Sequence, residues 1–162
     1  MRVVVMGVIG SGKTALGQAL AGALDWPFLD ADDYHSEQAR AQMASGTPMT
    51  DDDRRPWLLA LRRALGERGQ VVLACSALKR RYRDVLRLPG TRFLYLEVPP
   101  GLVYERLEAR DGHFAGPALL PSQFEALEPP MPSETDVLTL HVAPEDTPDD
   151  LRDRALALLD LP

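Results

Sequence analysis

The chain has a single cysteine, Cys75, so no internal disulfide can staple it. It lacks any apolar run near the roughly 20 residues of a membrane helix. The opening "MRVVVMGVIG" lacks the basic region, longer apolar stretch and cleavage site of a secretory signal. The expectation is a soluble, cytoplasmic protein with no membrane partner. Positive charge is scarce too: 18 Lys plus Arg stand against 24 Asp plus Glu, a net charge of -6, and no basic block tracks a phosphate backbone. Nucleic acid is therefore not an expected partner. The three histidines have no ligand spacing and make no metal centre. No repeat, low-complexity tract or linker divides the chain, and 162 residues with 45% hydrophobic content suit one domain, 1–162.

What is present is alternation. Short apolar runs read as strands: Arg2 to Met6, Pro27 to Leu29, Gln70 to Cys75, Arg92 to Val98 and Val137 to Val142. Helical patterns lie between them: Leu16, Leu20, Ala23 and Leu24 share one face, as do Leu151, Ala155, Leu158 and Leu159. Strand–helix alternation predicts an α/β fold, a parallel sheet covered by helices on both faces, with ligands gathering beyond the carboxyl ends of the strands. "TPDD" starts the last helix, with Thr147 as N-cap and Pro148 at its first position. "DGHFAGPALLP" (111–121) reads as a loop long enough to cover a site, and "LEPPMPSE" (127–134) as an irregular connector.

Gly7, Gly10, Ser11, Gly12, Lys13 and Thr14 lie in a G-x-x-x-x-G-K-[ST] loop, entered from a strand and left by a helix. Its glycines let successive N–H groups turn toward phosphate oxygens, and the helix N-terminus adds a favourable dipole. Lys13 reaches the β- and γ-phosphates of ATP in such loops, and the Thr14 hydroxyl can ligate Mg²⁺. The D-x-x-G and [NT]-K-x-D motifs of guanine-nucleotide switches are absent, and little length is left for a motor's transmission elements. A small-molecule kinase fits best.

The acceptor side must then come from the remaining polar clusters. In "LDADDYH", Asp30 and Asp32 follow the second strand and face one side of an extended segment. One suits Mg²⁺ through water and the other a substrate hydroxyl, although Asp is equally at home in a turn. In "MTDDDRRPW", Thr50 caps a helix with an acidic first turn, or else Arg54 points inward to bind a carboxylate. Cys75 and Ser76 end the third strand where many P-loop proteins carry a metal-binding Asp, which leaves Asp30 the better candidate. Lys79 and Arg83 are four apart on one helical face; Arg80, Arg81 and Arg87 read as solvated. Arg106 and Arg110 lead into the "DGHF" loop, either to cover the transferring phosphoryl group or to pair with Glu105 and Glu108. His113 is a candidate hydrogen-bonding partner for substrate. Trp57 and Phe124 read as core.

Taken together and in this order, "GVIGSGKT", "LDADDYH", "MASGTPMTDDDRRPW", "CSALKRRYRD", "RLEARDGHF" and "LLPSQFEALEPP" resemble the P-loop gluconokinases, kin of shikimate and nucleoside monophosphate kinases. The resemblance runs from Val4 to about Leu140. It implies transfer of the ATP γ-phosphoryl group to the 6-hydroxyl of D-gluconate with Mg²⁺. It also implies a five-stranded parallel sheet, a helical substrate-binding region near 34–68, a mobile lid near 106–120 and a homodimer. By matched position, Asp32 contacts the reacting hydroxyl and Asp30 and Thr14 support the metal. His35, Arg54, Lys79, Arg83 and His113 become candidates for gluconate, and Lys13, Arg106 and Arg110 for charge neutralisation. Ile9 and Thr14 stand where this family more often has Ser; Thr keeps the hydroxyl, and Ile9 is expected to act through its backbone.

Overall fold

The computed structural model describes residues 1–110 and 117–162. Five strands, β1 (Arg2–Met6), β2 (Phe28–Asp30), β3 (Val71–Ala74), β4 (Thr91–Glu97) and β5 (Val137–His141), form one sheet in the order β2-β3-β1-β4-β5. All four pairings are parallel. Every expected strand is found, each end within one residue of its expected position. β1 lies at the centre and consists of residues that suit a doubly buried strand: Val3, Val4, Val5 and Met6 are all 0% exposed.

Because side chains alternate along a strand, β1 feeds two separate cores. Val3 and Val5 pack with Leu16 and Leu20 of α1 (Lys13–Leu24), Val103 and Leu107 of α5 (Pro100–Glu108), and Ala155 and Leu159 of α7 (Pro148–Leu159). Val4 and Met6 pack with Trp57, Leu58, Leu61 and Leu65 of α3 (Asp51–Gly66) and Tyr82 and Leu86 of α4 (Arg80–Leu86). The buried face of α1 is set slightly differently from expectation: Leu16, Gly17, Leu20 and Ala21 face inward and Ala23 is exposed. A helix lying flat on a sheet presents the i, i+4 ridge, and Gly17 lets the Phe28 ring approach there. Thr147 caps α7 and Thr50 caps α3, each in a reciprocal capping box with an Asp three residues on.

Two further helices lie outside these layers. α2 (Glu37–Ala44) buries no residue, and α6 (Leu120–Ala126) rests on the α1/α5/α7 core through Leu120 and Phe124.

The connector 127–134 carries more than its irregular composition suggests. Glu134 is buried at its end and accepts from Nε (2.8 Å) and Nη2 (2.8 Å) of Arg83, which is 0% exposed. The other Arg83 N–H groups donate to the carbonyls of Ala77, Leu78 and Glu128. All five guanidinium donors are thus consumed by protein acceptors. Arg83 therefore ties α4 to the connector that leads into β5, and the expectation that it binds substrate is corrected: no donor is left to offer. Arg87, expected to be solvated, joins the same network through Glu134 and Asp136.

Hydrogen bonds from Arg83 hold the Glu134 carboxyl down at about 2, against the opposing cost of burial, with Arg87 assisting. A depressed acid contributes stability above its unfolded-state value, and that contribution is lost as pH falls from about 4.5 toward 2. Glu134→Ala leaves Arg83 charged, buried and uncompensated, and is expected to lower unfolding stability by about 3–5 kcal/mol at neutral pH. Urea titrations of wild type and variant between pH 2 and 7 measure both effects; a stability curve for wild type that is flat below pH 4.5 contradicts the assignment.

Candidate active site

In parallel α/β sheets, functional groups collect past the carboxyl ends of the strands. Here β1 ends at Met6 and enters the loop 7–12, β2 ends at Asp30, and β3 ends at Ala74, next to Cys75. Gly12 has a left-handed φ of 97° and is the N-cap of α1, so the first amides of α1 point out of the helix end without an intrahelical partner. In the loop, Gly7 N–H donates to Ser76 O (3.3 Å) and Ser11 N–H to Val8 O (3.2 Å). Ile9 N–H donates to Gln123 Oε1 (2.7 Å). Ser11 is 1% exposed and its Oγ is buried without a partner among the described residues, so its hydroxyl is not presented at the loop surface.

Lys13 folds back over the loop and donates from Nζ to Val8 O (3.0 Å). It retains some accessible surface, yet loss of water around the ammonium pushes its pKa down to about 8; Asp32 and Asp30 oppose that shift, and Arg110 adds to it. These interactions draw Asp30, Asp32 and Arg110 into the electrostatic neighbourhood of Lys13. Asp30 Oδ1 accepts the N–H of Asp32 (2.9 Å), shaping the 3₁₀ turn Ala31–Tyr34, while its second oxygen has no protein partner among the described residues. Asp30 makes the turn, and the turn leaves the Asp32 side chain exposed.

The turn is pinned from beneath. Trp57, expected as core, is buried and donates from Nε1 to Ala31 O (2.7 Å), and its ring stacks on His35 at 4.6 Å between centroids and 8° between planes. Burial lowers the His35 pKa, with Arg54 and Arg40 adding to it and Asp32 opposing, so the imidazole is neutral at pH 7. Its Nδ1 is buried without a partner among the described residues.

Arg54 and the cap of α3 coexist. Asp53 closes the capping box with Thr50, while the Arg54 guanidinium lies 5.8 Å above the Tyr82 ring. Arg54 is close enough to His35 and Cys75 to act on both electrostatically, and its guanidinium has no hydrogen bond or ion pair among the described residues. Lys79 precedes α4 as its N-cap and does not lie on the helix, so the expected shared face with Arg83 is corrected: Arg83 turns into the core, and Lys79 turns to Asp51 (3.0 Å) and the Tyr82 ring (5.7 Å). Asp51 also accepts from Arg81 (2.6 Å) and from the Tyr82 hydroxyl. The cap of α3 thereby becomes an anchor for the entry to α4, a role sequence spacing did not reveal. Burial pushes the Cys75 thiol up to about 12, in keeping with a small strand residue.

Arg106 ends α5 and Arg110 follows it; among the described residues neither pairs with Glu105 or Glu108. His113 lies outside the described residues, as does the centre of the expected lid. A cleft of about 550 Å³ borders Asp30 with Gln18, Phe28 and Tyr34, and one of about 470 Å³ runs between α2 and α3 beside His35 and Trp57. No group of three or more His, Cys, Asp or Glu side chains among the described residues could cage a metal. One carboxylate oxygen of Asp30 and the exposed Thr14 at the start of α1 fit an ion that keeps several waters and takes its other ligands from phosphates, as Mg²⁺ does. No helix among the described residues is long and apolar enough to cross a membrane.

A phosphate loop at the centre of a parallel five-stranded sheet, with acids at the carboxyl end of the edge strand β2, defines a P-loop small-molecule kinase. The shikimate kinase family model matches residues 9–128. The chain is 46% identical over 154 residues to a probable gluconokinase of Rattus norvegicus, covering 80% of this chain and 83% of that protein. It is 44% identical over 145 residues to the thermoresistant gluconokinase of Escherichia coli K12, covering 86% and 83%. The crystal structure of a gluconokinase from Sinorhizobium meliloti 1021 superposes with a TM-score of 0.88 at 42% identity, over 98% of this chain and 91% of that one. The chain belongs to the gluconokinase family of P-loop kinases.

Lys13 links the site to pH. Its ammonium attracts phosphate only while protonated, so affinity for Mg²⁺-nucleotide is expected to fall as pH rises through about 8. Isothermal titration from pH 7 to 9.5 measures this, and Lys13→Met is expected to bind weakly at every pH, with the slope gone.

Proposed function

We propose that the protein phosphorylates D-gluconate at its 6-hydroxyl with ATP, releasing ADP and 6-phospho-D-gluconate. The convergence of Lys13, Asp32 and a partner-free Arg54 at one end of the sheet carries this reading, and the family membership supports the acceptor. ATP lies along loop 7–14, with its phosphates against the amides at the start of α1. The gluconate carboxylate is held by Arg54, with Lys79 nearby, and its hydroxyls by neutral His35. Asp32 orients the 6-hydroxyl and takes its proton as the new O–P bond forms and the bond to the β-phosphate oxygen breaks. Lys13, Arg106 and Arg110 offset the charge that gathers on the leaving and transferring oxygens. Thr14 and Asp30 would hold Mg²⁺, which would screen the phosphate charge. Residues 106–120 act as the lid, and His113 joins the substrate contacts from it.

Positioning and charge neutralisation thus supply most of the rate enhancement, and exclusion of water protects the phosphoryl group from hydrolysis. The same reading extends to a cytoplasmic homodimer, which light scattering on the purified chain tests for assembly.

A coupled ADP-release assay with Mg²⁺-ATP against gluconate, other sugar acids, shikimate and nucleoside monophosphates tests the acceptor. Gluconate is expected to give the highest kcat/KM, and ADP release no greater with gluconate than without it refutes the proposal. Arg54→Ala is expected to raise the KM for gluconate by about 10–100-fold with kcat changed less. Asp32→Asn is expected to lower kcat by about 10²–10⁴-fold.

A further inference from the structure

The amides of the phosphate loop divide into two sets. Those of Gly7, Ile9 and Ser11 donate to protein acceptors: Ser76 O, Gln123 Oε1 and Val8 O. Those of Val8, Gly10, Gly12, Lys13 and Thr14 have no acceptor among the described residues, and the last three lie at the open N-terminal end of α1. Alternate amides of a tightly turned loop point to opposite sides, so holding one set in protein directs the other outward. Two of the three holding bonds use backbone carbonyls that come with the fold. The third, which is also the shortest, uses a side chain 114 residues away in sequence.

That side chain is well placed to hold. Gln123 lies in the middle of α6, between Leu120 and Phe124, both packed on the α1/α5/α7 core. The acceptor assignment is unambiguous, because a backbone N–H must donate and only the amide oxygen can receive it. The loop is gripped next to this bond as well. A Cβ at Gly10 would lie 2.9 Å from Leu107 Cγ and 3.2 Å from Val103 Cγ1, so the loop rests directly against α5. The helices on either side of residues 111–116, α5 and α6, therefore both contact the loop at adjacent positions, one by packing and the other by a hydrogen bond.

We infer that Gln123 is a positioning residue for the nucleotide phosphates. It fixes the Ile9 peptide so that the loop presents its unpaired amides to ATP, and it touches neither the reacting atoms nor gluconate. The inference rests on the ATP reading of the loop given above. Loss of the acceptor lets the Ile9 peptide rotate and turns part of the phosphate cradle away, so its effect falls on ATP and leaves the acceptor site unchanged.

The test compares Gln123→Met, similar in length but without an acceptor, with Gln123→Asn, one methylene too short, and Gln123→Glu, which keeps an acceptor oxygen. Direct titration with Mg²⁺-ATP, steady-state KM values, thermal midpoints and amide exchange at Ile9 are read on the full chain. Met and Asn are expected to weaken ATP binding by about tenfold and to speed Ile9 exchange by a similar factor. The gluconate KM is expected to stay within about twofold, with the thermal midpoint unchanged within error. Glu is expected to restore Ile9 protection. Unchanged ATP affinity in both Met and Asn overturns the inference, as does a parallel loss of ATP affinity, gluconate affinity and thermal midpoint. A wild-type chain that binds ATP but does not phosphorylate gluconate overturns the acceptor proposal and leaves this one standing; a wild-type chain that binds no ATP overturns both.

Discussion

The burial of β1 on both faces is the constraint from which the rest of the molecule follows. Four consecutive side chains at 0% exposure belong alternately to two cores, so β1 cannot shift register by one residue without exchanging them. Its end point is therefore fixed in the middle of the sheet, and the loop that leaves it emerges between β3 on one side and β4 on the other. The helix that follows must cross the sheet to reach β2 at the edge, and its first turn lies over the strand ends. A phosphate cradle at that spot combines unpaired amides, a helix dipole and a lysine.

The charged residues divide by what the surrounding dielectric permits. A guanidinium at 0% exposure is stable only when every donor has an acceptor, and Arg83 meets that condition through Glu134 and three carbonyls. Arg54 lies half-buried over an aromatic face, and its guanidinium has no acceptor among the described residues. The two residues look alike in sequence, each a base in a helical stretch, yet one holds the fold together and the other has no acceptor among the described residues. Asp51 and Asp53 divide in the same way: Asp53 closes a helix cap, and Asp51 secures Lys79 and Tyr82 across to the next helix. These acids thus tie α3 to its own cap and to the entry of α4, while α2, which buries nothing, contributes no core at all.

Local patterns were legible because they depend on neighbours in sequence. Apolar runs located all five strands, Thr147 and Thr50 located two helix starts, and the glycine-lysine-threonine spacing located the phosphate loop. The inward phase of α1 was less legible, since Gly17 and Ala21 carry little hydrophobic signal and are buried for their small size. The Arg83–Glu134 pair, 51 residues apart, and the Ile9–Gln123 bond, 114 residues apart, left no mark in spacing. A connector rich in Pro gives no hint that its final glutamate is the counter-charge of a buried arginine.

By itself the sequence determined the five strands, the parallel class of the sheet, the phosphate loop and the family, because periodicity, turn chemistry and a contiguous motif are written in adjacent residues. Only the tertiary structure decided which arginine is buried and which is available. It alone joined Asp51 to Lys79 and brought Gln123 to the back of the loop. Hydrogen bonds and ion pairs depend on distance and burial in space, and those are properties of the packed sheet and its two cores.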